Sequence, residues 1–465
     1  GISLPAALET VGNYAFRGCT ALQSITIPEG VTTIGSGEFQ NCSNLSLITL
    51  PERVTSIGTN AFEGCNALKS ITIPEGVTSI NDGVFQNCTS LTYLSLPSTL
   101  TAISNSAFEG CKNLSIKFSE GMATIPEEAL KEAVGITSIT LPSTITTIGK
   151  DAFEGCENLS VIFSEGMTVI PANALSSAKG VVSVIIPSTV KTIGDYAFFY
   201  CTSLKSITLP DCLNTIGSRA FYNCTSLQFV NIPNGITTID DYAFYNCISL
   251  QSVAIPKGLT SIGVEAFSGC NSLQSITLAD GLTTISKNAF SECYSLEVLA
   301  LPLSVTSIDY GAFYKCTSLK SIILPNGLKS IGDFAFSDCI SLESITLPDG
   351  FKTIGVNAFR SCFSLKSATI PESLTFIGDF AFRDCTVLQS INIPDGVTTI
   401  SSGEFQDCLN LSFVTLPEGI KSIGSNAFEG CRSLKSIVYQ GTKAQWESIE
   451  KGDLWNYSTG NYTIH

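Results

Sequence analysis

Histidine is almost missing from this chain. Of 465 residues only the last, His465, is a histidine, which sets aside imidazole acid–base catalysis and histidine-based metal ligation. Charge is scarce too. Asp, Glu, Lys and Arg make up 14% of the residues, and the balance is acidic, 40 against 25, for a net charge of −15. An acidic chain with few cations is a poor match for nucleic acid or an anionic membrane surface. No apolar run approaches the ~20 residues that span a bilayer, so membrane insertion by this chain is not expected. P-loop, dinucleotide-binding and nucleophile-elbow patterns do not occur. The acidic pairs Asp240-Asp241 and Glu127-Glu128 lack the spacing of a calcium loop. No cofactor is implied, and no residues are singled out as catalytic or metal-binding. At 44% apolar residues the chain is not disordered either.

What the sequence has is a repeat. Phe, or twice Leu (Leu130 and Leu175), recurs nineteen times from Phe16 to Phe428, with sixteen intervals of 23 residues and two of 22. A fixed period of this length implies one elongated array of stacked coils and not several globules. The coil at 62–84 shows the mechanics. Leu68, Ile71 and Ile73 form a short strand whose isoleucines alternate inward. Pro74 ends it, because proline cannot donate to a ladder. Glu75-Gly76 turns the chain, Val77 and Ile80 point back inside, and Ala61-Phe62 fills the far side of the core. Gly or Asn precedes the repeat cysteine in many coils (Gly18, Asn41, Gly64, Asn87, Gly110, Gly155, Asn223, Asn246, Gly269, Gly430). Both tolerate a left-handed backbone, so one helical turn around each A-F-x-x-C is expected. The expected architecture is a mainly β solenoid of about nineteen coils of 22–23 residues. It has a parallel sheet on a concave face and short helical turns.

The motif C-x-x-L-x-x-I-x-L-P followed by I-G-x-x-A-F, as in Cys201 to Phe221, resembles the leucine-rich repeat superfamily, and within it the 23-residue class of BspA-like surface proteins. The resemblance covers residues 1–438. It implies a leucine-rich repeat solenoid at the cell surface or outside the cell, and adhesion to host matrix proteins or other microbes. Ile2-Ser3-Leu4-Pro5 matches the second half of a repeat strand, so the chain is expected to start inside a coil without an N-terminal cap. Residues 439–465 leave the period and hold both tryptophans, Trp446 and Trp455. They resemble the segment that closes the last coil in this family, a C-terminal cap.

Seventeen of the 18 cysteines share one column: Cys19, Cys42, Cys65, Cys88, Cys111, Cys156, Cys201, Cys224, Cys247, Cys270, Cys293, Cys316, Cys339, Cys362, Cys385, Cys408 and Cys431. Stacked in register their Cβ atoms lie ~4.8 Å apart, whereas a disulfide needs ~3.8 Å. They are expected to form a ladder of reduced structural thiols. Cys212 replaces a turn glycine and should be exposed.

Two coils are irregular. Residues 111–133 and 156–178 replace the strand-ending proline by Ser119 and Ser164 and carry both methionines, Met122 and Met167. Either duplication drift or a bend that shapes a surface accounts for them. Residues 24–70 and 390–436 are near copies, which suits a scaffold that grows by adding coils.

Candidate ligand contacts follow from the columns. Outward strand positions run through serines from Ser24 to Ser436 and threonines from Thr26 to Thr415. Leu47, Tyr93, Phe229, Val298 and Phe413 interrupt the serine column and should be exposed. Phe199, Tyr222 and Tyr245, in consecutive coils with Tyr196, Tyr200 and Tyr242 nearby, form a flank patch that either binds or staples coils. Lys451-Gly452-Asp453 spells an integrin-recognition tripeptide of low specificity. The expected function is a non-enzymatic, monomeric recognition or adhesion protein. Its partners would be host matrix or other cell-surface proteins, with a glycan as a further candidate. A structural spacer and a glycan-binding module are the alternatives.

Overall fold

The computed structural model describes residues 2–465. It divides into two compact units, Gly1–Leu227 and Gln228–His465, and both are parallel β-solenoids built of the same coil. Most coils contribute a strand of about three residues that pairs in parallel with the equivalent strand one repeat on. In the first unit Ser24, Ile25 and Thr26 face Leu47, Ile48 and Thr49. In the second, Phe229, Val230 and Asn231 face Ser252, Val253 and Ala254. A second strand of two residues follows the turn and stacks the same way, as in Thr33–Ile34 on Ser56–Ile57. The core lies between these strands and the A-F segment. Phe62, Cys65, Leu68 and Val77 are fully buried, and Ile71, Ile73 and Ile80 nearly so.

The expected helical turns resolve into consecutive β-turns, and hydrogen bonding explains why. Ala61 N–H donates to Gly58 O, Glu63 N–H to Asn60 O and Cys65 N–H to Phe62 O, all within the coil. Phe62 and Gly64, between them, donate to Val84 O (3.0 Å) and Gln86 O (2.8 Å) of the next coil. A helix would keep every N–H for itself and leave its neighbours unbonded. The alternation needs left-handed residues, found at Asn60 (φ 58°) and Gly64 (φ 70°). All ten Gly and Asn positions preceding a repeat cysteine have positive φ. At Gly64 a Cβ would also come within 2.5 Å of Asn41 Oδ1. Among the described residues only Asn105–Phe108 forms a 3₁₀ turn and only Lys443–Ser448 an α-helix.

The irregular coils lengthen their strands. Leu114–Phe118, Ile136–Leu141, Leu159–Phe163 and Val181–Ile185 join Ser70–Thr72 and Tyr93–Leu96 in a six-stranded sheet. With serine in place of proline a donor returns: Ser119 N–H reaches Leu96 O and Ser164 N–H reaches Leu141 O, both at 2.9 Å. Phe118 and Phe163 are buried on these strands. Met122 and Met167 are buried as well.

Within each unit the phenylalanines form a stack. Phe16, Phe39, Phe62, Phe85 and Phe108 lie face to face at 5.3–6.0 Å. In the second unit the stack runs from Phe244 to Phe428. Residues 439–465 continue the ladder by other means. Phe428 N–H donates to Trp455 O (2.7 Å) and Gly430 N–H to Tyr457 O (2.9 Å). Trp455 meets the Phe428 ring edge-on at 6.3 Å and Trp446 at 6.2 Å. The helix that carries Trp446 is fixed by a capping box in which Thr442 and Gln445 bond each other's backbone N–H.

Candidate recognition surface

The strand face is set by alternation. Ile71 turns into the core, so Ser70 and Thr72 turn out. The same register carries the apolar interruptions outward. Leu47 is 60% exposed, Tyr93 41%, Phe229 51%, Val298 52% and Phe413 42%. Serines flank them: Tyr93 lies between Ser70 and Ser115, and Phe413 between Ser390 and Ser436. Each is therefore an exposed apolar side chain with serine on both sides in its column, and Leu47 and Tyr93 line one shallow recess together with Ser70, Thr72 and Glu52. Ile323 (64% exposed), on the strand beside Ala300, and Phe376 (51%), on a two-residue strand, also point to solvent and belong to the same class. Sequence reading passed over both. The signal was there, in the second strand's column, where Phe376 stands among serines and threonines.

The flank aromatics are placed differently. Phe199 is half-buried. It stacks on Tyr222 at 5.0 Å and takes the edges of Tyr196 (5.3 Å) and Tyr200 (4.6 Å). Arg219 donates to the Tyr196 hydroxyl at 3.1 Å and covers its ring. These rings hold adjacent coils of the first unit together. Tyr245 belongs to the second unit, half-buried against Tyr242 at 5.9 Å.

The buried repeat thiols have partners that sequence reading missed. Cys65 Sγ–H donates to Phe39 O, 26 residues back, at 3.3 Å, and Cys270 to Phe244 O at 3.3 Å. Burial pushes the Cys65 thiol up to about 12, with the neighbouring Cys42 thiol adding to the rise and a hydrogen bond from the Cys42 backbone opposing it. All 18 cysteines are free thiols. Cys212 is exposed, and its thiol donates to Ser188 O (2.9 Å) and Val190 O (3.0 Å). The threonine hydroxyl of Thr99 reaches the equivalent carbonyls of an earlier turn. Lys451 is similarly engaged. Its ammonium donates to Trp446 O and Ile449 O and lies 4.9 Å from the Trp446 ring centre, so the integrin-like tripeptide does not present its cation.

Two glutamates occupy the column that normally holds alanine. Glu38 and Glu404 are both fully buried. One oxygen of each accepts a backbone N–H, from Gly35 and Ser401, at 2.7 Å. The other oxygen has no partner. Burial raises the Glu38 carboxyl to about 7, against the opposing pull of the Gly35 N–H, and raises Glu404 well above the ordinary carboxylate range. No helix among the described residues is long and apolar enough to cross a membrane.

A family model for the BspA type leucine rich repeat region matches residues 1–115, 123–251, 237–366 and 352–457. No curated protein matches the chain. Among solved structures, a leucine-rich repeat protein from Bacteroides ovatus is 26% identical, covering 95% of this chain and 92% of its own, at a TM-score of 0.38. A leucine rich cell surface protein from Faecalibacterium prausnitzii is 23% identical over 92% of this chain and 90% of its own, at 0.31. The pneumococcal vaccine antigen PcpA is 18% identical over 81% and 84%, at 0.37.

Proposed function

This chain belongs to the BspA type leucine rich repeat family, and from that premise we propose that it is a non-enzymatic recognition protein of the cell surface or extracellular space. It binds protein partners, host matrix or other cell-surface proteins, through its outward strand face. The observation that carries this reading is the exposure of Tyr93, Phe229 and Phe413 at positions where the column otherwise holds serine. An exposed ring on a strand loses nothing from the fold if replaced by serine, and it gains most when a partner covers it. The hydroxyls around each ring accept and donate many weak hydrogen bonds, which suits shallow contacts added along a unit. Residues 1–438 are the binding solenoid, and residues 439–465, with Trp446 and Trp455 against the last coil, are its closing segment.

The test is a variant with Tyr93→Ser, Phe229→Ser and Phe413→Ser. Each change restores the column's own residue, so the fold should keep its circular dichroism spectrum and melting temperature. Binding to immobilised host matrix proteins, read by surface plasmon resonance, should weaken at least tenfold. If the parent chain binds and the triple variant binds equally well, the strand face is not the contact surface. If the parent binds no protein at all, the spacer reading replaces this one.

A further inference from the structure

The column one residue after the repeat phenylalanine reads Tyr222 in the first unit, and Tyr245, Ser268, Ser291 and Tyr314 in the second. Two small residues therefore stand between two tyrosines. At ~4.8 Å per coil, Tyr245 and Tyr314 are roughly 14 Å apart. The gap is a cavity of about 340 Å³, the lower end of the range for small-molecule sites. Ser268 and Ser291, both buried, make its floor. The columns on either side supply the walls: Glu265 and Asn288 on one, Glu292 on the other, with Tyr310 and Phe334 packed together at 5.5 Å beyond.

The fixed charges here are already partnered. Lys315 pairs with Glu292 at 3.4 Å and lies 5.0 Å from the Tyr314 ring centre. Lys287 sits 5.5 Å from the centre of the Tyr310 ring. Asn288 Nδ2 donates to Glu265 Oε1 at 3.3 Å. Each carboxylate already has a partner within the fold, Lys315 for Glu292 and Asn288 for Glu265, so neither stands as a bare charge awaiting an ion. What remains is aromatic surface next to carboxylate oxygens, an amide and hydroxyls. That combination suits a ligand with apolar C–H faces and hydroxyls around its edge. The C–H face stacks on the electron-rich ring. The hydroxyls donate to Glu265 and Glu292 and accept from Asn288.

We propose that the trough between Tyr245 and Tyr314 is a binding site for a neutral saccharide, one or two sugar rings long. It goes beyond the protein-binding reading, because it lies on the turn flank and not on the strand face.

The experiment refills the trough. Ser268→Tyr with Ser291→Tyr continues the column with the residue it holds at Tyr222 and Tyr245, so the coils have a pattern for accommodating it. The probes are neutral tetrasaccharides of glucose, mannose, galactose and N-acetylglucosamine, together with a tetralysine peptide, all by isothermal titration against the full chain. The parent should bind at least one tetrasaccharide. The refilled variant should bind it at least tenfold more weakly, as should Tyr314→Ala, which stands as the second variant if refilling disturbs folding. The Tyr93, Phe229, Phe413 serine variant should bind it as the parent does, which separates this site from the strand face. The proposal is overturned if no tetrasaccharide binds, if both trough variants bind like the parent, or if tetralysine alone binds.

Discussion

Replacing Glu38 by glutamine should stabilise its coil at neutral and alkaline pH and do nothing in acid. Glu38 occupies the place of Ala61 in the next coil, with no solvent exposure. One oxygen is held by Gly35 N–H and the other meets no donor. Its carboxyl is raised from 4.5 to about 7, chiefly by burial. A raised carboxyl pKa means that the folded state keeps a proton the unfolded state has released. The coil's stability therefore falls as pH rises past about 4.5, and the loss levels off above about 7. At 1.36 kcal/mol per unit the full loss is about 3 kcal/mol. Glutamine has the shape of the protonated acid and does not titrate. Near pH 4 the two proteins should match, and near pH 8 the variant coil should be about 3 kcal/mol more stable.

Coils of a solenoid open locally, so a global melt would blur the effect. Hydrogen exchange at Phe39 and Asn41 reads it directly, since these amides donate to Ala61 O and Glu63 O of the next coil. Comparing the two proteins at one pH cancels the intrinsic exchange rate. The variant should be protected roughly a hundredfold more near pH 8, by the same conversion. Glu404, left intact in the same molecule and buried in the same way, is the internal control. Its coil should keep its pH dependence. Equal protection of the Glu38 coil in both proteins near pH 8 would refute the assignment of a protonated buried carboxyl.

Two further outcomes follow from the core. Phe267 is fully buried between Phe244 and Phe290, at 5.4 and 5.6 Å. Phe267→Ala should cost about 3–5 kcal/mol, read as a lower urea midpoint, with lost amide protection concentrated in its own and adjacent coils. Iodoacetamide near pH 8 should label Cys212 first. A thiol raised to about 12, as at Cys65, holds a thiolate fraction on the order of 10⁻⁴ at that pH. Such thiols should react only after denaturation, as mass spectrometry of the labelled peptides would record.

The period, the strands and the core were legible because each is written in residue type. Isoleucines two apart, a proline that stops the strand and a phenylalanine every 23 residues admit few arrangements. Glycine and asparagine before the cysteine marked one left-handed column correctly. The second left-handed column is only half written in the same way. It holds Gly37, Asn60, Gly83 and Asn288, but also Tyr14, Arg219, Glu265 and Phe334, the last four at φ of 54–59°. Those four do not favour that conformation. The bonds from coil to coil impose it, and a bond between residues 22 apart leaves no mark on the residue type. The same cause hid the cysteine partners, since Phe39 O and Cys65 meet only when the turns have formed.

The trough shows what such a fold hides and where it can be found. Ser268 and Ser291 look like ordinary soluble filler in a linear reading. They become a floor only when the coils are stacked and the columns on both sides of theirs are known to point the same way. Those side columns are the left-handed ones, at Glu265, Asn288 and Glu292, with φ of 54°, 51° and 60°. A left-handed residue swings its side chain out of the turn, so Glu265 and Asn288 rise as one wall and Glu292 as the other. In a solenoid of this kind the core is conserved in kind from coil to coil, and the place to look for recognition is a column whose residues change size. Leu47, Tyr93, Phe229 and Phe413 are enlargements on the strand face. Ser268 and Ser291 are a reduction on the turn flank. An enlargement offers a ring to a partner's surface, and a reduction between rings offers a recess to a small ligand, so the two kinds of departure should bind different chemistry.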